Sequence, residues 1–119
     1  MVAVLLLLNK RQKQRRGRVA MVKVTIERHA KRDEDLSPIL RELRAAAMRY
    51  QGYITGETLV STQDSSIIVT ISTWQSLEDW KQWEASEIRA KLYQQIEPLL
   101  LEKPVVRTYQ IVATEDKRG

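Results

Sequence analysis

What most constrains this chain is the order in which its hydrophobic period switches. From Val22 to Arg28 (Val-Lys-Val-Thr-Ile-Glu-Arg) apolar and polar residues alternate, as they do in a half-buried strand. A charged loop, Lys31 to Asp35, interrupts the pattern. Ser37-Pro38 then reads as an N-cap followed by proline at the first helical position. Ile39, Leu40, Leu43, Ala46, Ala47 and Tyr50 recur at helical spacing, giving one apolar face. Gly52 is placed to end that helix in a left-handed conformation. Tyr53–Val60 and Ser66–Trp74 read as strands joined by a hairpin loop at residues 61–65, with Gly56 marking a bulge. Ser76-Leu-Glu-Asp79 opens a second helical region carrying Leu77, Trp80 and Trp83. Ser86 restarts or bends it, and Ile88, Leu92 and Ile96 continue an apolar face until Pro98. Pro104 precedes a last strand, Val105 to Val112.

Strand, helix, strand, strand, helix pair, strand is the split βαβ, or ferredoxin-like, order. It predicts an α+β fold with a four-stranded antiparallel sheet and helices on one face. The third strand adds a further constraint. Ile67, Val69 and Ile71 point one way, while Ile68 and Trp74 point the other, so both sheet faces call for cover. In a chain of 119 residues the second cover is most simply another copy, and we expect a homodimer.

Composition removes many chemistries. There is no cysteine, which excludes disulfides, thiolate nucleophiles and Cys-ligated metals. One histidine, His29, leaves no multi-His metal site, and we expect neither metal nor cofactor. No G-x-S-x-G elbow, phosphate-cradling glycine loop or HExxH occurs. The net charge of +5 is unevenly spread. Residues 1–20 hold six basic groups and no acid, leaving fourteen basic against fifteen acidic groups beyond them. The folded body is therefore nearly neutral, and no nucleic-acid or membrane contact is expected from it.

Residues 1–20 pair a short apolar run, Val2 to Leu8, with a basic one, Asn9 to Arg18. The order is opposite to that of a secretory signal, and the run is too short to span a bilayer. A lipid-surface anchor, a nucleic-acid arm and an extension without a selected role all fit. We favour a solvated, disordered extension, with translation beginning at Met21. The expected organisation is this extension, a domain over 21–113 and a charged end over 114–119, in a cytoplasmic protein.

Trp74, Trp80 and Trp83, the only tryptophans, are the chief candidates for a binding role. Trp80 and Trp83 share roughly one helix face. They read either as packing between helix and sheet or as walls of an apolar pocket for a flat ligand. Tyr93, about three turns beyond Trp83, reads as a rim residue or as a hydrogen-bonding group aimed into that pocket. His29 reads as a surface residue or a proton-transfer group, and Arg89 as a solvated helix charge. Glu78 and Asp79 suit a helix's first turn, where the macrodipole favours them.

The segment Met21–Val112 resembles the antibiotic biosynthesis monooxygenase (ABM) family of dimeric α+β barrels. The resemblance rests on Gly52-Tyr-Ile-Thr-Gly-Glu-Thr-Leu59, on Ile71-Ser-Thr-Trp-Gln-Ser-Leu-Glu-Asp-Trp-Lys-Gln-Trp83, and on Ser86 with the helix to Pro98. Relatives of this kind include cofactor-independent oxygenases of anthrones or quinols, haem degraders and proteins of no known role. The haem degraders use an Asn on the first strand, a Trp in the second-helix region and a later His. Trp83 matches that Trp, and Tyr93 stands in place of that His. The only asparagine is Asn9, so haem degradation is not expected. The resemblance implies a small flat aromatic or quinol-like substrate and O2 as partners. Trp83, with Trp80 and Trp74, would bind the substrate; Tyr93 and His29 are the catalytic candidates. A non-enzymatic binding or dimeric interaction module of the same fold is the alternative.

Overall fold

The computed structural model describes residues 20–117. The expectations for residues 1–19 concern a segment outside these. β1 (Val22–His29) is followed by α1 (Ser37–Ala47), then β2 (Tyr53–Val60) and β3 (Ile67–Trp74). Two short helices, α2 (Leu77–Glu84) and α3 (Glu87–Ile96), lead through a 3-10 turn (Glu97–Leu99) to β4 (Val105–Gln110). The four strands form one sheet in the order β2-β3-β1-β4. Every neighbouring pair is antiparallel. This is the α+β, split βαβ arrangement expected from the sequence.

Register divides the sheet into two faces. Val22, Val24, Ile26 and Arg28 pair with Trp74, Ser72, Thr70 and Ile68, so all eight side chains lie on one face. The helices cover that face. Val22, Val24 and Ile26 are buried there with Ile39, Leu40, Leu43 and Ala47 of α1 and with Trp74, Trp80, Trp83 and Ile96. On the other face lie Lys23, Thr25, Glu27 and His29, opposite Thr73, Ile71, Val69 and Ile67. No described helix covers this side. Ile67, Val69 and Ile71 are only half-buried, and Leu59, Val105 and Tyr109 stand well exposed around them.

Local chemistry explains most boundaries. The Ser76 hydroxyl accepts from the Asp79 N–H at 3.1 Å, and the Ser86 hydroxyl accepts from the Arg89 N–H at 3.2 Å. Each serine caps its own helix, so Ser86 restarts the chain rather than merely bending one helix. Pro98 sits in the 3-10 turn that ends α3. Four expectations need correction. The residue preceding α1 is Leu36, itself 1% exposed, with Ser37 already helical. Gly52 has φ +91° but lies five residues beyond the end of α1, in the turn into β2. A Cβ there would also run into the Asp79 carboxylate. The bulge falls between Tyr53 and Thr55, while Gly56 makes room for the Tyr53 hydroxyl. In α3, Ile88 is 50% exposed, and the buried positions are Arg89 and Ile96.

Trp74 has no exposed surface, whereas Leu77 is 44% exposed. We therefore expect Trp74→Ala to destabilise the fold by about 3–5 kcal/mol and Leu77→Ala by less than about 1 kcal/mol. Urea unfolding followed by circular dichroism checks both values; equal losses would contradict the core described above.

Candidate functional site

The site is assembled where the end of β1 meets α3. Strand alternation carries Arg28 onto the helix-covered face, in phase with Val22, Val24 and Ile26. Its side chain is therefore sent into the core, and the residue is 3% exposed. Arg89, in the first turn of α3, is 9% exposed. Between them stands Tyr93, one turn beyond Arg89. Arg28 donates to the Tyr93 hydroxyl at 3.0 Å and Arg89 donates to it at 2.9 Å. The Arg89 guanidinium also lies over the Tyr93 ring, 4.1 Å from its centre, and 5.5 Å from the Trp80 ring centre. These are cation–π distances.

The remaining contacts of the two arginines are to neutral oxygens. Arg28 donates to the Thr70 hydroxyl at 3.2 Å, and Arg89 reaches the Glu84 carbonyl at 3.4 Å. Among the described residues, Lys81 pairs with Glu84, and His29 lies within 4 Å of Asp64 and Glu102. Neither buried arginine has a carboxylate partner among the described residues. Burial pushes the Arg28 guanidinium below its usual value, against the opposing interaction with Tyr93, and the like charge of Arg89 adds to the lowering. Arginine starts so high that Arg28 stays charged at neutral pH.

A cleft of about 70 Å³ opens to solvent beside this triad. Trp74, Trp80, Trp83, Arg28 and Arg89 contribute to its walls, with Arg44 from α1. The three tryptophans are 0%, 1% and 4% exposed, so they are core residues whose inner edges also line the cleft. They stack edge to face. Trp74 lies 5.3 Å from Tyr53 and 5.8 Å from Trp80, and Trp83 lies 5.0 Å from Tyr50. The Trp74 indole N–H donates to the Ser72 hydroxyl at 3.0 Å. The Trp80 indole N–H and the Arg28 Nε–H are buried without an acceptor among the described residues, which is unusual for buried donors.

The structure thus brings Trp74, Trp80 and Trp83 to one cleft, with Tyr93 held by two of its arginines. It does not bring His29 there. That side chain leaves β1 on the opposite sheet face, 3.6 Å from Glu102 and 3.9 Å from Asp64. Arg28 and Arg89 are the functional candidates that sequence reading missed. Reading Arg89 as a solvated helix charge is corrected by its burial. A signal existed for both. Arg28 continues the alternation of β1 by one step, and Arg89 precedes Leu92, Tyr93 and Ile96 by three, four and seven residues, the spacing of one helix face. Among the described residues no group of His, Asp and Glu side chains is arranged to hold a metal ion. Nor is any helix among them long and apolar enough to cross a membrane.

Comparison with known proteins bears on this site. The sequence model of the antibiotic biosynthesis monooxygenase family matches residues 19–95. No curated protein matches the sequence. Among solved structures, a variant of SnoaB, a cofactor-independent oxygenase from Streptomyces nogalater, superposes with a TM-score of 0.71 or better, namely 0.73, at 11% identity. That match covers 82% of this chain and 98% of SnoaB. A Nitrosomonas europaea protein, described as a candidate antibiotic biosynthesis monooxygenase, gives 0.71 at 15% identity over 77% of this chain and 90% of its own. A conserved protein of Methanosarcina mazei gives 0.71 at 12% identity, with coverages of 78% and 94%. At such identities the likeness establishes the fold.

Tyr53, at the cleft, offers a test of its surroundings. Desolvation raises its phenol above 10, and the nearby Arg44 charge pulls the other way. With the folded value above the unfolded one, this residue's contribution to stability is full below pH 10 and is lost as pH rises through the folded value. We expect Arg44→Gln to raise the Tyr53 transition further in an alkaline ultraviolet titration, assigned by comparison with Tyr53→Phe. A downward move would contradict the placement of Arg44.

Proposed function

The chain belongs to the antibiotic biosynthesis monooxygenase family, and from that membership we propose that it is a cofactor-independent monooxygenase of a small, flat aromatic or quinol-like substrate. The observation that carries this reading is the cleft itself. Aromatic walls from Trp74, Trp80 and Trp83 stand beside a phenol whose orientation two arginines fix. Tyr93 does not itself line the cleft; its oxygen accepts from both guanidinium groups and so positions the two arginines that do. Trp83 supplies a face or edge for stacking.

In this chemistry the substrate supplies the electrons. An activated CH2 of an anthrone-like ring loses a proton to give a delocalised carbanion. The anion passes one electron to O2, and the resulting radicals combine into a peroxide that takes up a proton. Loss of water then leaves a carbonyl. One oxygen atom ends in the product and the other in water, and the CH2 carbon gives up the four electrons that O2 accepts. The protein's part is to bind the ring, favour the anion and exclude water. Positive charge at Arg28 and Arg89 serves the second of these. His29, on the other sheet face, has no place in this scheme within one protomer.

A second reading is favoured by one observation. The cleft is about 70 Å³, whereas a cavity that takes up benzene is about 150 Å³. A fold whose tryptophans so nearly fill their own pocket also suits a non-enzymatic binding or interaction module. Turnover separates the two. On the oxygenase reading, O2 uptake with reduced quinols and anthrones exceeds the uncatalysed rate. We expect it to fall at least about tenfold in Trp83→Ala and in Tyr93→Phe, the range of a lost positioning or acid–base group. Uptake no faster than the uncatalysed rate across the panel would favour the module.

Either reading includes a homodimer formed through the uncovered sheet face. Ile67, Val69 and Ile71 lie there among the exposed Leu59, Val105 and Tyr109. Such an apolar patch is uncommon on a monomer, and a second copy offers it an identical face by two-fold symmetry. Sedimentation velocity of the full chain should show a species of twice 13.9 kDa, and Val69→Glu should shift it to the monomer. A wild-type monomer at micromolar concentration would refute the dimer.

A further inference from the structure

The cleft contains more positive charge than its own fold uses. Arg28 and Arg89 are both more than nine-tenths buried, and both place a guanidinium N–H within 3.0 Å of the same oxygen. Two like charges converging on one neutral atom repel, and buried charge without a counter-ion is expensive. Yet among the described residues neither has an acidic partner. Arg44 adds a third cation to the walls. The one acid there is Glu57, and it pairs in register with Ile71, on the far face of the sheet. Two of the five N–H donors of each arginine are used, all on neutral oxygens. The Arg28 Nε–H and the Trp80 indole N–H, on two residues that border the cleft, are buried with no acceptor among the described residues.

Two buried cations on the walls of one small cavity, with no counter-ion among the described residues, call for an acceptor that carries negative charge. We propose that the floor of the cleft is an oxyanion-binding site, and that its ligand is an aromatic carboxylate whose ring lies toward the mouth. A carboxylate offers about four lone-pair sites and matches guanidinium geometry. Volume agrees with this placement. At about 70 Å³ the space is about half that of a cavity of roughly 150 Å³ that takes up benzene, so it suits a carboxylate better than a ring. The ring then lies at the solvent-open side, outside the enclosed space. This proposal takes from the preceding section only that the cleft binds a ligand; it does not require turnover.

Benzoate and benzamide separate charge from shape, since they are nearly isosteric and only benzoate is anionic at pH 7. Each is titrated into the full-length protein and followed by tryptophan fluorescence, all three indoles being at the site. We expect benzoate to bind at least about tenfold more tightly than benzamide. Arg28→Gln and Arg89→Gln should each remove that preference. Arg32→Gln, an exposed cation of the loop after β1, should alter neither. Benzoate should also raise the melting temperature of the wild type but not of Arg89→Gln, a readout that holds if the Arg28 variant folds poorly. Equal affinity for the two probes would overturn the anion site and leave the oxygenase reading intact. Binding of neither at millimolar concentration would also overturn it. Benzoate preference without O2 uptake from any quinol would support the anion site and count against the oxygenase alone.

Discussion

The hydroxyl of Tyr93, shared by two buried guanidinium groups, is the contact on which the rest of the site depends. It ties the last turn of β1 alternation to the middle of α3, two segments 65 residues apart in the chain. Each partner is charged and largely dehydrated, and each would be costly to bury alone. A phenol accepting two charge-assisted bonds offsets part of that cost, as does the ring of Tyr93 beneath Arg89. Because neither arginine meets a carboxylate among the described residues, the positive charge is retained rather than cancelled. The helix is thereby fixed to the strand, and the cleft between them is left electropositive.

The same geometry explains why two helices occupy a stretch that could hold one. Ser86 accepts a hydrogen bond from the Arg89 N–H, which starts α3 afresh after α2 ends at Glu84. Arg89 is thus fixed twice, by its backbone in the first turn of α3 and by its side chain on the Glu84 carbonyl and Tyr93. Had α2 run on unbroken, the phase relation between Trp80, Trp83 and the residues of α3 would be that of one straight helix. The break lets the tryptophans face the sheet while Arg89 and Tyr93 turn toward the end of β1.

The order of elements was legible in the sequence because period-two and helical patterns alternate cleanly from Val22 to Gln110. The three tryptophans were legible too, as large apolar groups in a short span. The arginines were not, for a physical reason. Residue type dominates any first reading, and charged residues are seldom buried without a partner. Arg28 and Arg89 hold the right phase for burial, but phase was outweighed by charge. His29 shows the converse. Its chemistry drew attention, yet it lies one residue past Arg28, and one residue reverses the face of a strand. Ile88 failed similarly, since the apolar face of α3 turns on Arg89 and Tyr93 and leaves Ile88 outside.

Trp74, Trp80 and Trp83 make packing and binding inseparable in this domain. A core that fills well leaves little void, and these indoles both close the layer between sheet and helices and border the cleft. Enlarging the cleft therefore means moving core side chains, not merely displacing solvent. Arg89 lies over both the Tyr93 and the Trp80 rings and is held there by the Glu84 carbonyl and the Tyr93 hydroxyl, so the charge and the aromatic surface at the cleft form one packed unit.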